Sequence, residues 1–427
     1  MEEWKTYKLS EIAKLSTGFP FDGSKYSKEG IRVVRGDNVT IGALRWETDK
    51  DKRWNIPFDR ANEYSLQDGD IVVGMDGSRV GRNRAQVQQS DLPLLIAQRV
   101  ACIRNNELSH QQFLYYQIFS NRFCDYIKSV QTGTSIPHVS LKQIGDYEVV
   151  LPSLPYQIKI ANVLSALDSK IELNNRINHN LEEQAQAMYK SWFVDFEPFK
   201  DGKFVESELG MIPEGWRVGR YNDIISTTVS GDWGKEDLTG NYTHKVSCIR
   251  GCDFADASHG LRGNIPERYI LEKNYDNKRL LDKDIIVEIS GGTPTVSTGR
   301  ICMISNKLLK KYNNDLVCTN FCKIIRPHKG YSSYIFYSWF DKYLQKVMFG
   351  YENGTSGIKN FQLSDFLEKE PVIIPSLDAI SRFATIIDSY QIVIQMNGSE
   401  NTKYTEIRDT LLPKLMSGEL KINEIDC

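Results

Sequence analysis

Three arginines and an asparagine crowd one short stretch of this 427-residue chain, Ser78-Arg79-Val80-Gly81-Arg82-Asn83-Arg84. Arginine can grip a guanine edge with two hydrogen bonds, and an asparagine or glutamine amide can do the same for adenine. Ser78, Arg79, Arg82, Asn83 and Arg84 are therefore candidate DNA-contacting side chains. In the corresponding place of the second half, the stretch Ser290 to Arg300 offers Thr293, Thr295, Ser297 and Arg300. Its hydroxyls and backbone amides suit phosphate positioning or weaker base contacts. Two Gly-Thr-Ser loops add Thr134 and Ser135 with His138, then Thr355 and Ser356 with Lys359 and Asn360. The bland alternative for each loop is a solvated turn, with glycine for geometry and arginine for solubility.

Other chemistries find little support. The chain has no Gly-x-x-x-x-Gly-Lys-[Ser/Thr] phosphate cradle, no Asn/Asp-Pro-Pro-Tyr/Phe and no His-Glu-x-x-His. No catalytic residue and no metal site is expected. Cys248 and Cys252, and Cys318 and Cys322, are spaced like metal ligands, but with three residues between them rather than two, and in apolar strand-like text. Structural cysteines are the favoured reading. Arg35 and Arg250 each open a Gly-containing turn, where structural ion pairs are expected.

The elements that must hold these residues are written twice. Trp4 returns as Trp216, Arg35-Gly36 as Arg250-Gly251, and Pro152-Ser153-Leu154 as Pro375-Ser376-Leu377. Leu66-Gln67-Asp68-Gly69-Asp70-Ile71-Val72-Val73 returns as Leu280-Leu281-Asp282-Lys283-Asp284-Ile285-Ile286-Val287. An internal repeat fixes architecture before any propensity does. Two similar modules in one chain behave like a two-fold dimer, a form suited to a long double-ended ligand such as DNA. Each module reads as α+β. Asp70–Val73, closed by Gly74, Gly77 and Gly81, predicts a strand and tight hairpin. Ser109 with Gln112 predicts a capping box opening one helix with Phe113, Leu114, Tyr116, Phe123 and Ile127 on its apolar face. A counterpart is expected near Tyr334 to Met348.

The stretch from Leu154 to Phe193 is of a different kind. Leu164, Leu167, Ile171, Asn174, Asn178, Leu181, Ala185, Met188 and Trp192 step by three and four. That is the seam of a coiled coil. The copy runs through Ile387, Tyr390, Ile394, Asn397, Asn401, Tyr404, Arg408, Leu411 and Leu415. Each helix would be ~60 Å long at about 1.5 Å per residue. An antiparallel pairing with a constant residue-number sum sets Asn174 against Asn401 and Asn178 against Asn397, so that four amides satisfy one another and penalise slipped registers. The alternative is asparagines facing solvent on an imperfect helix. The expected organisation is a first recognition module over 1–151, a first spacer helix over 152–197 and a linker over 198–215. A second module over 216–374 and a second helix with its tail over 375–427 complete it. Trp192, Phe193, Phe196 and Phe199 cluster at the end of the first helix, either as a partner-docking surface or, the favoured reading, as packing of helix onto module.

Composition sets limits. The formal net charge is -2 with a quarter of the residues charged. That argues against a stand-alone clamp whose affinity comes mostly from phosphate neutralisation. It leaves room for a reader of bases whose basic partner grips the backbone. Met1 to Lys5 has no apolar core segment and no run approaches the length of a membrane span, so a cytoplasmic protein is expected.

Several segments then read together as a family. Pro152-Ser153-Leu154-Pro155-Tyr156-Gln157-Ile158-Lys159-Ile160-Ala161, Ser191-Trp192-Phe193-Val194-Asp195-Phe196-Glu197-Pro198 and Glu208-Leu209-Gly210-Met211-Ile212-Pro213-Glu214-Gly215-Trp216 resemble the DNA-specificity (S) subunits of type I restriction–modification systems. The likeness spans essentially the whole chain. It departs from the family at Asp378-Ala379-Ile380, which replaces the glutamine-containing helix start. The resemblance implies two target-recognition domains, each reading half of a split double-stranded DNA site, with two long antiparallel helices setting the gap. It implies two modification subunits that bind S-adenosylmethionine and methylate adenine, with Trp192, Phe193 and Phe196 as their candidate contact. It also implies two motor-nuclease restriction subunits that use ATP and Mg. The alternatives are the specificity subunit of a related methyltransferase or phage-defence complex without a type I nuclease, a lone nuclease or methyltransferase, and a protein-binding scaffold.

Overall fold

The computed structural model describes residues 4–133, 135–354 and 359–421. Its contacts divide into two units: the first 169 residues with residues 405–427, and residues 170–404.

In the first unit a five-stranded sheet runs in the order Ala13–Thr17, Val100–Asn105, Ile71–Gly74, Arg84–Gln86, Ile41–Gly42. A second sheet sets Ile31–Val34 between Arg53–Trp54 and, in parallel, Leu94–Ile96. Successive strand side chains point to opposite faces, and here both faces are covered. Ile71 and Val73 enter a core with Phe113, Leu114 and Phe123, whereas Val72 enters another with Val34, Ile96 and Cys102. A continuous apolar run is what a strand buried on both sides requires. The partner of this strand begins only at Arg84, with Val73 opposite it. The expected tight hairpin is therefore an ordered loop, plugged by the buried Val80.

The second unit repeats the plan. Ile225–Ser230, Cys322–Pro327, Ile285–Glu288 and Ile301–Met303 form an antiparallel sheet, and Leu316–Cys318 runs parallel to Tyr242–Ile249 in another. Ile285 and Val287 again face one core and Ile286 another. The repeated Asp70 and Asp284 have one job. Each carboxylate accepts the backbone N–H three residues before it, from Gln67 at 2.7 Å and Leu281 at 2.9 Å. Each also holds an arginine of the neighbouring strand, Arg104 at 2.6 Å and Arg326 at 3.4 Å. The 198–215 connection contains a hairpin, Phe204–Ser207 with Gly210–Pro213.

The expected single helix after Ser109 is two helices, Gln111–Ile118 and Asn121–Val130, the second capped by Ser120. Ser109 does not cap the first. Its hydroxyl donates to the Ile12 carbonyl at 2.5 Å, and His110 takes the cap position. The His110 N–H instead meets Gln157, a fully buried amide that also donates to the Leu108 and Pro152 carbonyls at 3.0 and 2.9 Å. Gln157 thus binds the first turn of a long helix to the module before it. The second module's counterpart helix spans Ser332–Leu344.

The long helices are Leu154–Phe193, of 40 residues, and Leu377–Ser417, of 41. All the three-and-four-step residues are buried or half-buried. The helices pair antiparallel within each unit. In the first, Arg408 donates to Asp168 at 2.8 Å, and Tyr116 caps the same carboxylate at 2.6 Å. In the second, Asn174 donates to Asn401 at 2.9 Å and Asn397 to Asn178 at 2.8 Å. Asn401 passes a further bond to Asn175 at 2.8 Å. The second helix also carries its own module: Gln395 donates to the Ala257 and Ser258 carbonyls at 3.1 and 2.9 Å. Gly398 admits the next carbonyl, since a Cβ there would fall 1.8 Å from the His259 oxygen.

A buried amide deprived of its partner costs about 1–3 kcal/mol. Asn174→Ala should therefore lower the unfolding free energy by that amount. Leucine at both 174 and 401 should be neutral or stabilising while allowing slipped pairings. Urea unfolding followed by circular dichroism, with cysteine-pair crosslinking to read the register, checks both outcomes.

Candidate nucleic-acid interface

One edge of the first module opens into a cleft of about 770 Å³. The Met75–Asn83 loop contributes Asp76, Ser78, Arg79 and Asn83, and the turn after Leu94–Ile96 contributes Gln98 and Arg99. Arg35, Thr40 and Arg45 line the opposite side, with Phe19, Phe21 and Tyr26 as an apolar wall. Ser78, Arg79 and Arg82 are exposed and Asn83 is half-buried. The Arg82 and Asn83 N–H groups both bond back to the Arg79 carbonyl, at 2.9 and 3.0 Å, so the loop is a fixed platform. Asp76 binds His138 on one side and Arg99 at 3.2 Å on the other. Ser135 is exposed on the neighbouring loop, whereas Thr134 lies outside the described residues.

Arg84 departs from the expectation. It is only 7% exposed, and its guanidinium donates to the Gly81 and Phe119 carbonyls, both at 3.0 Å, and to the Cys124 sulfur at 2.8 Å. Both terminal nitrogens are bound in closing the loop onto the helix pair, so it is an internal strut. Arg35 also differs. Arg250 forks onto Asp253 at 2.9 Å, but the residue aligned with Asp253 by its bond to the arginine N–H is Asn38, not Asp37. Arg35 therefore lacks the carboxylate and lies over Tyr26 at 5.7 Å, facing the cleft.

In the second module the predicted cations are spent internally. Arg300 forks onto Glu288 with both bonds at 2.8 Å, a pairing that strengthens its hold on its proton. Lys359 donates to Glu352 at 2.8 Å, and the same carboxylate accepts the Thr298 N–H and hydroxyl. Ser297 is buried at 3% exposure and is not a contact residue. Thr293 closes its own turn by accepting the Val296 N–H at 3.0 Å; Thr295 and Asn360 are exposed, the latter accepting from Ser290 at 2.6 Å. Thr355 and Ser356 lie outside the described residues.

The aromatic cluster at the helix end is packing. Phe193 is 2% exposed and sits 5.8 Å from Trp216 and 5.1 Å from Phe383. Trp192 packs on Phe383 and Phe199, and Phe196 on Trp216 and Phe204, so the half-buried remainder offers little docking surface. Cys248, Cys318 and Cys322 are buried in strands, and burial pushes the Cys248 thiol up to about 12. Among the described residues no cluster of three or more His, Cys, Asp or Glu has metal-binding geometry.

Sequence reasoning missed Gln98 and Arg99. A signal existed: both interrupt an otherwise apolar run from Leu94 to Cys102, as Thr319-Asn320 interrupts Leu316 to Cys322.

Residues 1–183 match the sequence model described as the type I restriction modification DNA specificity domain. The chain is 27% identical to the type I restriction enzyme MjaIX specificity subunit of Methanocaldococcus jannaschii, covering 99% of this chain and 98% of that one. It is 25% identical to the HindI specificity subunit of Haemophilus influenzae, over 98% and 100% of the two chains. The fold is that of the crystal structure of a type I restriction–modification S subunit from M. genitalium, with a TM-score of 0.58, 16% identity and coverage of 97% and 96%.

Arg84→Ala should destabilise the first module by about 2–3 kcal/mol, because it strands the Phe119 carbonyl, leaves the Gly81 carbonyl with the weaker Cys124 thiol donor and empties a buried site. Arg82→Ala, exposed on the same loop, should stay within about 0.5 kcal/mol of the parent. Urea midpoints of the two variants, measured side by side, decide it; equal midpoints contradict the strut assignment.

Proposed function

We infer that this chain, a member of the family of type I restriction–modification specificity subunits, selects a bipartite double-stranded DNA site and directs adenine methylation and restriction by its partner subunits. The observation that carries this reading is the doubling itself. One scaffold is built twice, down to the Asp70–Arg104 and Asp284–Arg326 clamps, while the exposed edges differ in chemistry. Two like frames with unlike edges suit two half-sites of unlike sequence. Buried residues hold the frame, and the exposed polar edge is free to differ.

The chain acts without catalysing. Two modification subunits would supply S-adenosylmethionine and the methyl transfer. Two motor-nuclease subunits would supply ATP, Mg and cleavage. The two long helices set the gap between the half-sites. The net charge of -2 supports a division of labour in which partners carry most of the phosphate contacts. No helix among the described residues is long and apolar enough to cross a membrane; we place the complex in the cytoplasm with its DNA.

Electrophoretic mobility shift with the purified chain, with and without modification subunits, is the test. Weak, salt-sensitive binding alone and sequence-specific binding in the complex are expected. Tight specific binding by the chain alone, or S-adenosylmethionine binding by the chain alone, contradicts the reading.

A further inference from the structure

Backbone hydrogen bonds superimpose the two exposed edges residue by residue. In the first module the Met75 N–H bonds to the Arg99 carbonyl at 3.1 Å, and the Met75 carbonyl accepts the Val139 N–H at 2.9 Å. In the second, the Ile289 N–H bonds to the Phe321 carbonyl at 2.8 Å, and the Ile289 carbonyl accepts the Phe361 N–H at 2.9 Å. Arg99 is thus equivalent to Phe321, Asp76 to Ser290 and His138 to Asn360. The side-chain pair across the last two positions is kept in both: Asp76 with His138, and Ser290 with Asn360.

The turn that presents the first of these residues is braced from beneath in both modules. A Cβ on Gly18 would fall 1.9 Å from the Ile96 oxygen, and one on Gly231 2.0 Å from the Thr319 oxygen. Next to each glycine the chain bonds to the turn, Phe19 N–H to the Ile96 carbonyl at 2.9 Å and Asp232 N–H to the Cys318 carbonyl at 2.8 Å. Side chains on such a turn are preorganised, which lowers the ordering entropy of a contact. What they present differs sharply. Gln98 and Arg99 are exposed at the cleft, with Arg99 paired to Asp76 at 3.2 Å. Asn320 and Phe321 are exposed in the second module, and Phe321 shows 57% of its surface, unusual for an aromatic with a core to enter.

We propose that these braced turns, Gln98–Arg99 and Asn320–Phe321, are base-reading specificity determinants, one for each half-site, and that the two halves are read by different chemistry. The inference rests on the DNA-recognition reading above. In the first module Arg99 leaves Asp76 for a guanine edge and Gln98 offers a bidentate amide to adenine. In the second, where Arg300 and Lys359 are already bound to Glu288 and Glu352, Phe321 contacts a thymine methyl and Asn320 supplies the amide.

The test expresses the full chain with its modification subunits and maps methylated adenines across the host genome by sequencing. Arg99→Ala and Gln98→Ala should relax a single position of one half-site about 10-fold or more, leaving the other half and the gap intact. Phe321→Ala and Asn320→Ala should relax only the opposite half. In binding assays on the assembled complex, neither Arg99→Ala nor Phe321→Ala should change the slope of log affinity against log salt, because a base contact neutralises no phosphate; a slope reduced by about 1 in Arg99→Ala would make Arg99 a phosphate contact and overturn its base-reading role. Unaltered selectivity overturns the proposal, as does uniform loss of methylation from a complex that still assembles. If the parent complex shows no sequence-specific methylation at all, the DNA-recognition reading fails first, which separates the two failures.

Discussion

An amide placed in an apolar helix seam is tolerable only where another amide faces it, and this constraint governs the rest of the structure. Asn174 and Asn401, then Asn178 and Asn397, meet in adjacent layers of the second unit. Slipping the pair by a heptad would set Asn174 against Ile394 and Asn401 against Leu167 and leave buried donors without acceptors, at about 1–3 kcal/mol each. The register is therefore selected by what it avoids more than by what it gains. Each helix then binds the module beside it through a second buried amide, Gln157 on the first and Gln395 on the second. Polar groups in apolar places recur as the positioning device.

The modules use buried charge in the same spirit. Asp70 and Asp284 each gather a backbone N–H and an arginine, fixing the start of the central strand. In the second module Glu288 and Glu352 also absorb the cations nearest the exposed edge, whereas in the first module Arg79 and Arg82 have no charged partner among the described contacts. The two edges consequently differ in field as well as in shape: one cationic, the other neutral, hydroxylated and aromatic. A protein built by duplication can thus recognise two unlike sequences without altering either core.

Much of this was legible in the sequence, and for definite reasons. The three-and-four spacing from Leu164 to Trp192, with asparagine at the matching places of the copy, contains the register, because burial periodicity and amide satisfaction are local rules. The apolar run Ile71-Val72-Val73 announces a strand covered on both faces. Tertiary competition defeated other readings. Ser109 has the spelling of a cap, but the Ile12 carbonyl claims its hydroxyl. Arg84 and Arg300 look like exposed readers until Phe119 and Glu288 are seen beside them. Arg35 opens the same turn as Arg250 but makes no ion pair there, because Asn38 stands where Asp253 does. Gln98 and Arg99 were overlooked because a two-residue break in an apolar run carries no motif.

Under the proposed function, the paired helices set the distance between the two sequences read. Inserting one heptad into both helices, in register and on the Asn174–Asn401 side of the seam, leaves every module residue untouched. Methylation mapping of a host carrying this lengthened chain and its partner subunits is the direct measurement. Both half-sites should keep their sequences while the unspecified gap grows by one or more base pairs, at about 3.4 Å each. An unchanged gap with methylation still active would contradict the claim.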